Sequence, residues 1–289
     1  MQVLVQFDFA ALPADPAAPA AGIGRRYARG WAGRIMPYWR GPSGAAYALG
    51  PHLGQNNVRT WRGGATNVAT TFAATIGSMP YTGASPTAPT IPALATTNLL
   101  TSTFRSTIST GAVAGGLAYI RGNQANLWRG NAAGLGGFMC VHRFALSGAL
   151  QAGIRAFAGL VDVAANPTNI DPVTTTAPGG IGLAINTNTG NWQLVNNVTG
   201  TARTALDLGA NCAVNNTSVL ELALWCAPND NGISYQVTNL SNGTTASGKI
   251  TANIPANTTF LCPSVWVTNN ATAAAQLLDF ISTYVEADT

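Results

Sequence analysis

Acidic side chains are scarce in this chain of 289 residues, which contains ten aspartates and glutamates in total. Hydrolysis of a glycosidic bond uses two carboxyl groups about 5 to 9 Å apart across a cleft. A Glu-x-Asp-x-x-Glu pattern would place such groups on one strand, but Glu221 is followed by Leu-Ala-Leu-Trp. The remaining candidates are isolated on predicted strands, and they are Asp207, Asp279 and Glu286. The pattern favours a chain that is not an enzyme, with a carbohydrate-active enzyme as the alternative.

Motifs for nucleophilic, phosphate and metal chemistry are also missing. The only histidines, His52 and His142, do not adjoin a Gly-x-Ser-x-Gly elbow, and no Gly-rich loop leads into Lys-Ser or Lys-Thr. Two loops rich in Asn and Asp, 166–171 and 229–231, each contain one carboxylate. One carboxylate is too few for tight calcium binding, so both loops are interpreted as Asx turns. We therefore expect no catalytic residue, no metal and no cofactor.

Positive charge is concentrated in the first half of the chain. Charged residues make up only 8% of the sequence, yet ten arginines and two aspartates precede residue 131. These arginines are interleaved with Trp, Tyr and Gly, which favours contact with a protein over contact with nucleic acid. Guanidinium groups can bind carboxylates in bidentate geometry and stack on rings. The predicted docking residues are Arg25, Arg26, Arg29, Trp31 and Arg34.

A second set of candidates lies in predicted hairpin loops rich in amides. An aromatic ring beside amide groups suits a sugar, because the ring stacks on C–H groups while the amides bind hydroxyls. The alternative is that these loops are ordinary turns between strands. The predicted glycan-contact residues are Asn191, Trp192, Asn229, Asp230 and Asn231.

The elements that would position these residues are strands. Low charge excludes long amphipathic helices with Lys- and Glu-rich faces. After residue 130, ten short apolar runs are separated by clusters of Gly, Pro, Asn or Asp, and several alternate cleanly, as in Ile233, Tyr235 and Val237. Asn242-Gly243 predicts a type I′ hairpin turn. The sequence therefore predicts an all-β protein, with an antiparallel two-sheet β-sandwich of the jelly-roll, lectin-like type.

The N-terminal part has a different composition. Its first nine residues alternate like a short strand, whereas 12–24 and 80–98 are rich in Pro, Ala and Thr and predict extended linkers. We predict an extended, Arg- and Trp-rich arm over 1–115 and the sandwich over 116–289. The sequence shows no secretory leader or spanning segment, so we expect no membrane insertion, and we expect the four cysteines to be reduced thiols.

Several stretches of the second half carry a resemblance to a known group of proteins. They include WRGNAAGLGGF (128–138), RAFAGL (155–160), PTNIDP (167–172), NWQLVNN (191–197), ALDLGA (205–210), SVLELALWCAPN (218–229), IPANTTFLCPSVWVTNN (254–270) and LDFISTYVEAD (278–288). From Trp128 to Asp288 the chain resembles the C-terminal domain of bacteriophage and prophage virion proteins, which are tail-fibre or minor structural proteins. The resemblance implies a lectin-like jelly roll and supplies no catalytic motif.

This resemblance implies a protein of the virion that is made in the cytoplasm of the host bacterium. The N-terminal arm would bind other virion proteins, and the sandwich would contact a host-surface glycan. Fibres of this kind are commonly homotrimers, in which three sandwiches bury their faces around one axis. The alternative is a capsid-decorating or head-fibre protein that covers the shell. Neither role requires a nucleic-acid partner.

Overall fold

The computed structural model describes residues 8–42, 44, 46–49, 57–62, 71–76 and 79–287. The predicted strand over the first nine residues lies almost entirely outside the described residues. In these residues, helix is confined to α1 (Leu99–Ser102) and one 3-10 turn (Ala210–Cys212). Within the described ranges, no helix combines the length and the hydropathy needed to cross a membrane.

Twenty strands make up the rest of the regular structure. In chain order they are β1 (Ala11–Leu12), β2 (Arg25–Trp31), β3 (Arg34–Arg40), β4 (Ala46–Ala48), β5 (Asn57–Arg62), β6 (Thr71–Ile76), β7 (Met79–Ala84), β8 (Thr87–Thr90), β9 (Ser106–Ser109), β10 (Leu117–Gly122), β11 (Phe138–Ser147), β12 (Arg155–Val161), β13 (Gly180–Ile185), β14 (Gln193–Asn197), β15 (Thr204–Asp207), β16 (Leu220–Cys226), β17 (Ile233–Asn239), β18 (Thr244–Ile250), β19 (Cys262–Thr268) and β20 (Leu277–Ala287).

Two antiparallel sheets of eight strands form a β-sandwich, which confirms the predicted fold class. The front sheet has the order β15-β14-β13-β12-β19-β10-β7-β6. The back sheet has the order β18-β17-β16-β11-β20-β9-β8, and β5 pairs with β20 beside β9. All ten runs predicted after residue 130 are strands. Strands β5 to β9 belong to the same two sheets, so the sandwich draws on residues from both sides of the predicted boundary at 115/116.

The core lies between the two sheets because one side chain in two points inward along each strand. On β17 the inward residues Ile233, Tyr235 and Val237 are buried in the main hydrophobic cluster. Strand β20 contains a bulge opposite Arg143 and Phe144. Before the bulge its core residues are at the even positions 278 and 280, and after the bulge they are at the odd positions 285 and 287. Such a bulge bends a strand and re-aims the side chains beside it.

Two local sequence predictions were wrong. The Pro-rich segment 80–98 was expected to be a linker, but β7 and β8 lie within it and the segment also leads into α1. Pro89 is tolerated because β8 is an edge strand with irregular pairing, so its missing N–H removes no central hydrogen bond. The β17–β18 connection is a four-residue loop, Leu240–Gly243, in which Gly243 has a positive φ of 76° and Asn242 does not. A type I′ turn would need both.

Strands β1 to β4 form a small sheet that packs against the outer face of the back sheet. The β2–β3 hairpin touches this face with its tip, where Ala32 is buried and its N–H donates to Oε1 of Gln236 at 3.3 Å. Gly33 has φ +80°, and a Cβ placed there would lie 2.8 Å from Oγ of Ser234. Only glycine fits both this backbone conformation and this contact.

Candidate functional site

A pocket of about 550 Å³ lies over the outer face of the front sheet, beneath the long loop 162–179 that joins β12 to β13. Apolar residues of the loop, among them Ile170 and Val173, pack on the outer side chains of the sheet. The pocket is the space they leave, and we call it the front pocket. Its lining includes Asp162, Asn166, Ile170, Arg203, Ser264 and Trp266.

One aromatic side chain, Trp266, lies at the floor of the front pocket, and Phe157 packs beside it. Phe157 of β12 and Trp266 of β19 are directly opposite each other in the strand register, and their rings stack with centroids 6.2 Å apart. Both point outward, because the neighbouring positions Val265 and Val267 belong to the core between the sheets. Cross-strand aromatic pairs of this kind stiffen a sheet. Trp266 gives the pocket an apolar base.

Arg203 fixes the loop above this floor. Its guanidinium lies 4.9 Å from the ring centroid of Phe157. Nε donates to Oδ1 of Asn197 at 3.2 Å, and the two terminal nitrogens donate to the carbonyl oxygens of Pro172 at 2.6 Å and Pro178 at 3.2 Å. Burial lowers the pKa of Arg203 to about 10, so the side chain stays charged at neutral pH. Arg203 therefore acts on the shape of the pocket by binding both flanks of its loop.

Polar groups occupy the rim. Oδ2 of Asp162 accepts a hydrogen bond from Oγ1 of Thr199 at 2.5 Å. Oδ1 of Asn166 accepts two hydrogen bonds from Arg121, at 3.0 Å from Nε and 2.8 Å from Nη2. Among the described residues, no partner is assigned to the amide nitrogen of Asn166, so a donor remains at the exposed rim. An apolar floor with a few fixed polar groups is the usual composition of a small-molecule pocket.

The two loops predicted to contact a glycan lie at opposite ends of the sandwich. Asn191 precedes β14, and its Nδ2 donates to Oδ1 of Asp207 at 3.0 Å. At the other end of β14, Nδ2 of Asn196 donates to the carbonyl oxygen of Asn253 at 2.7 Å. That end also holds the loop 229–231, where Asp230 pairs with Lys249, near the end of β18, at 2.6 Å. The loops cannot form one site, because periodicity identifies strands but does not say which loops share an end.

Trp192 was also expected to offer a ring to a sugar, and this expectation was wrong. Its side chain is 2% exposed and belongs to the main core cluster. The ring packs edge-on against Phe144, with centroids 5.3 Å apart. Trp192 therefore stabilises the interior, whereas Trp266 faces outward and lines the front pocket.

Most of the predicted docking residues contact their own chain. Arg29 pairs with Asp15 at 2.9 Å, and Arg25 donates to the carbonyl oxygen of Ala17 at 2.8 Å. Trp31 packs against the outer cluster of the back sheet. Burial lowers the pKa of Arg34, opposed by the charge of Glu286.

Arg26 is exposed, as Arg25 is, but it forms no hydrogen bond or ion pair with another described residue, and it lies opposite Trp39 in the strand register. It is the member of the set that is best placed to meet another molecule.

The isolated carboxylates each have a partner of their own. Asp279 forms a buried pair with Arg105 at 2.9 Å, Glu221 pairs with Arg143 at 2.5 Å, and Glu286 accepts from the Tyr284 hydroxyl at 3.2 Å. The described ranges hold no cluster of three or more His, Cys, Asp or Glu side chains that could bind a metal. In the loop 166–171, Oδ1 of Asp171 accepts a hydrogen bond from the N–H of Val173 at 2.9 Å, which is the geometry of an Asx turn.

Comparisons with known proteins concern the fold. No family model matches the chain, and no curated protein matches its sequence. Solved structures that are similar to it include the following three. A conserved carbohydrate esterase of the Shiga toxin-encoding bacteriophage phi24B is 16% identical, with a TM-score of 0.44 and coverage of 72% of this chain and 90% of that one. The seed lectin of Lotus tetragonolobus is 10% identical, with a TM-score of 0.44 and coverage of 75% and 97%. A family 7 alginate lyase is 10% identical, with a TM-score of 0.42 and coverage of 64% and 80%.

The expectation that the chain is not an enzyme is corrected by these comparisons, because two of the three similar structures are enzymes, the esterase and the lyase. The likeness concerns the arrangement of strands, and it transfers no residue role to this chain.

Proposed function

We propose that this chain is a saccharide-binding β-sandwich and that the front pocket holds the sugar. The observation that carries this proposal is the ring of Trp266, stacked on Phe157, in a pocket that is also lined by carboxylate, amide and hydroxyl groups. Sugar rings present C–H groups on their faces and hydroxyls at their edges. An aromatic floor suits the faces, and Asp162 and Asn166 suit the hydroxyls.

We further propose that the protein serves in a phage virion, as a tail-fibre or spike component that attaches to a host-surface glycan. The resemblance of residues 128–288 to virion proteins supports this role, as does the low content of charged residues. In this proposal the N-terminal segment, 1–115, contacts other virion proteins, and the protein is a homotrimer. The alternative is a capsid-decorating protein, for which the front pocket needs no ligand.

A glycan array followed by titration calorimetry tests the saccharide site. Rim variants Asp162→Asn and Asn166→Ala should weaken binding of the selected glycan at least tenfold, which corresponds to about 1.4 kcal/mol. The matched controls are Asp207→Asn, at an exposed position of the same sheet, and Asn242→Ala, at an exposed position of the β17–β18 loop. Unchanged affinity in both rim variants would refute the front pocket as the site.

The virion role is tested separately with assembled particles. Rim variants should reduce adsorption to host cells while the protein still enters virions in normal amounts. Normal adsorption together with normal incorporation would support the capsid-decorating alternative. Absence of the protein from purified virions would reject both virion roles and leave the saccharide site untouched.

A further inference from the structure

A second cleft lies on the opposite outer face of the sandwich, between the small sheet and the back sheet. The tip of the β2–β3 hairpin rests on β17 through Ala32 and Gly33, so the rest of the hairpin stands away from the sheet. Two cavities of about 520 and 540 Å³ lie beside the hairpin, and both are lined by Trp31, Arg143 and Leu240. We call their combined volume the back cleft.

One wall of the back cleft is aromatic. Trp31 is half-buried, packs against a cluster that includes Val141 and Ala223, and lines both cavities. Tyr38 and Tyr284 line one cavity each. A tryptophan held by packing on one side and open to a cavity on the other is a rigid stacking surface for a ring.

The charged groups of the back cleft leave an excess of donors. Arg143 reaches Oε2 of Glu221 through Nε at 2.5 Å, and this carboxylate is 8% exposed whereas the arginine side chain is 47% exposed. Asp15 accepts from Arg29 at 2.9 Å and from the hydroxyl of Tyr27 at 2.6 Å. A guanidinium has five N–H donors, so a single contact to Glu221 leaves most of those of Arg143 unused. Each carboxylate is paired with an arginine, and the Arg143 side chain remains about half exposed.

The bulge in β20 contributes to this arrangement. It lies opposite Arg143, at the step to Phe144. Ile281, in the bulge, packs with Val219 and Leu240, and all three line the cleft. Gln236 and Thr238 on β17 add an amide and a hydroxyl to the same wall. The cleft therefore combines a ring platform, neutral hydrogen-bonding groups and one exposed guanidinium.

We propose that the back cleft binds an acidic saccharide, with a uronate-type carboxylate on the terminal nitrogens of Arg143 and the sugar ring against Trp31. Arginine binds carboxylates in bidentate geometry, and this contact distinguishes an acidic sugar from a neutral one. The site is separate from the front pocket, because the two lie on opposite outer faces. It adds a charge-selective site to the proposed function and does not depend on the front pocket being occupied.

Titration calorimetry of the full chain with trigalacturonate tests the proposal, and the fully methyl-esterified trisaccharide is the matched neutral ligand. The acid should bind at least tenfold more tightly than the ester. Because Arg143→Ala alone would leave Glu221 unpaired, the test variant is the double replacement Arg143→Gln with Glu221→Gln. The double variant should lose the preference for the acid. Arg26→Gln, which removes an exposed arginine of the β2–β3 hairpin, should leave this preference unchanged.

Each outcome is decisive. No binding of trigalacturonate at millimolar concentration, or equal affinity for the acid and the ester, overturns the site. Unchanged acid preference in the double variant, with an unchanged melting temperature, also overturns it. Equally tight binding of triglutamate would overturn the assignment to a saccharide. Retained acid binding in Asn166→Ala would separate this site from the front pocket, and its loss would place the acid in the front pocket instead.

Discussion

The histidine between the two sheets makes the stability of this protein depend on pH. His142 is fully buried. Its Nε2 lies 3.2 Å from the carbonyl oxygen of Gly159, which can only accept, so this nitrogen carries the proton of the neutral ring. Its Nδ1 then accepts from the hydroxyl of Thr283 at 2.8 Å. Burial lowers the pKa of His142 from 6.5 to about 4, opposed by the hydrogen bond to Gly159.

The direction of this pH dependence follows from the pH at which the folded and the unfolded chain each take up a proton on His142. In the unfolded chain the imidazole is protonated as the pH falls through 6.5, while the folded chain keeps it neutral until about pH 4. Protonation therefore favours unfolding, and the stability that is fully present above pH 7 is lost progressively between these two values. At about 1.4 kcal/mol per unit, we expect a loss of about 2 to 3 kcal/mol between pH 7.5 and pH 4.5.

Urea unfolding followed by tryptophan fluorescence measures this loss at several pH values. The comparison variant is His142→Gln, which keeps a hydrogen-bonding side chain but does not titrate. Carboxylates that titrate near pH 4 act equally in both proteins, so the difference between the two pH profiles isolates the imidazole. The profile of His142→Gln should be flatter by about 2 to 3 kcal/mol over this range. Parallel profiles for the two proteins would refute the reasoning.

Three further predictions concern packing, ion pairs and thiols. Gly33→Ala should destabilise the protein by about 1 kcal/mol or more, because Gly33 has a positive φ and a Cβ there would clash with the side chain of Ser234. Gly30→Ala is the control and should leave the thermal melt unchanged, because a Cβ at Gly30 meets no atom within 4 Å. Asp279→Asn, which leaves the buried Arg105 without its carboxylate, should cost about 3 to 5 kcal/mol in urea unfolding, but Lys249→Ala only about 1 kcal/mol or less. The four buried, free cysteines should react with a thiol reagent only on unfolding, and rapid reaction in buffer would contradict their burial.

The sequence was informative where one physical signal controls the outcome. Alternation such as that of Ile233 and Tyr235 determines which side chains are buried, so the strands after residue 130 could be predicted individually. The segment around Pro80 and Pro89 was misjudged, because proline content alone does not reveal that a strand sits at an edge or that its neighbours tolerate a missing donor. Composition describes a segment in isolation, while strand formation there depends on partners distant in sequence.

The candidate sites depended on information that periodicity lacks. Asn191 and the loop 229–231 share a composition but not an end of the sandwich, since strand order decides which loops meet. Arg203 carried no local signal, because most of its partners, Phe157, Pro172 and Pro178, are distant in sequence. The length of that loop was the one available indication, since long connections inside a compact domain are often functional. A search for long loops would have pointed to the front pocket before any search for amides.

The place of β20 in the back sheet has a consequence for how the chain folds. This strand, residues 277–287, comes last in sequence among the described strands, yet it lies between β11 on one side and β9 and β5 on the other. During synthesis those strands must wait with unpaired edges until residue 287 has left the ribosome. Pairings of such large sequence separation form slowly, and waiting edges are prone to associate with other chains. Nascent chains should therefore be most vulnerable to aggregation just before synthesis reaches this strand.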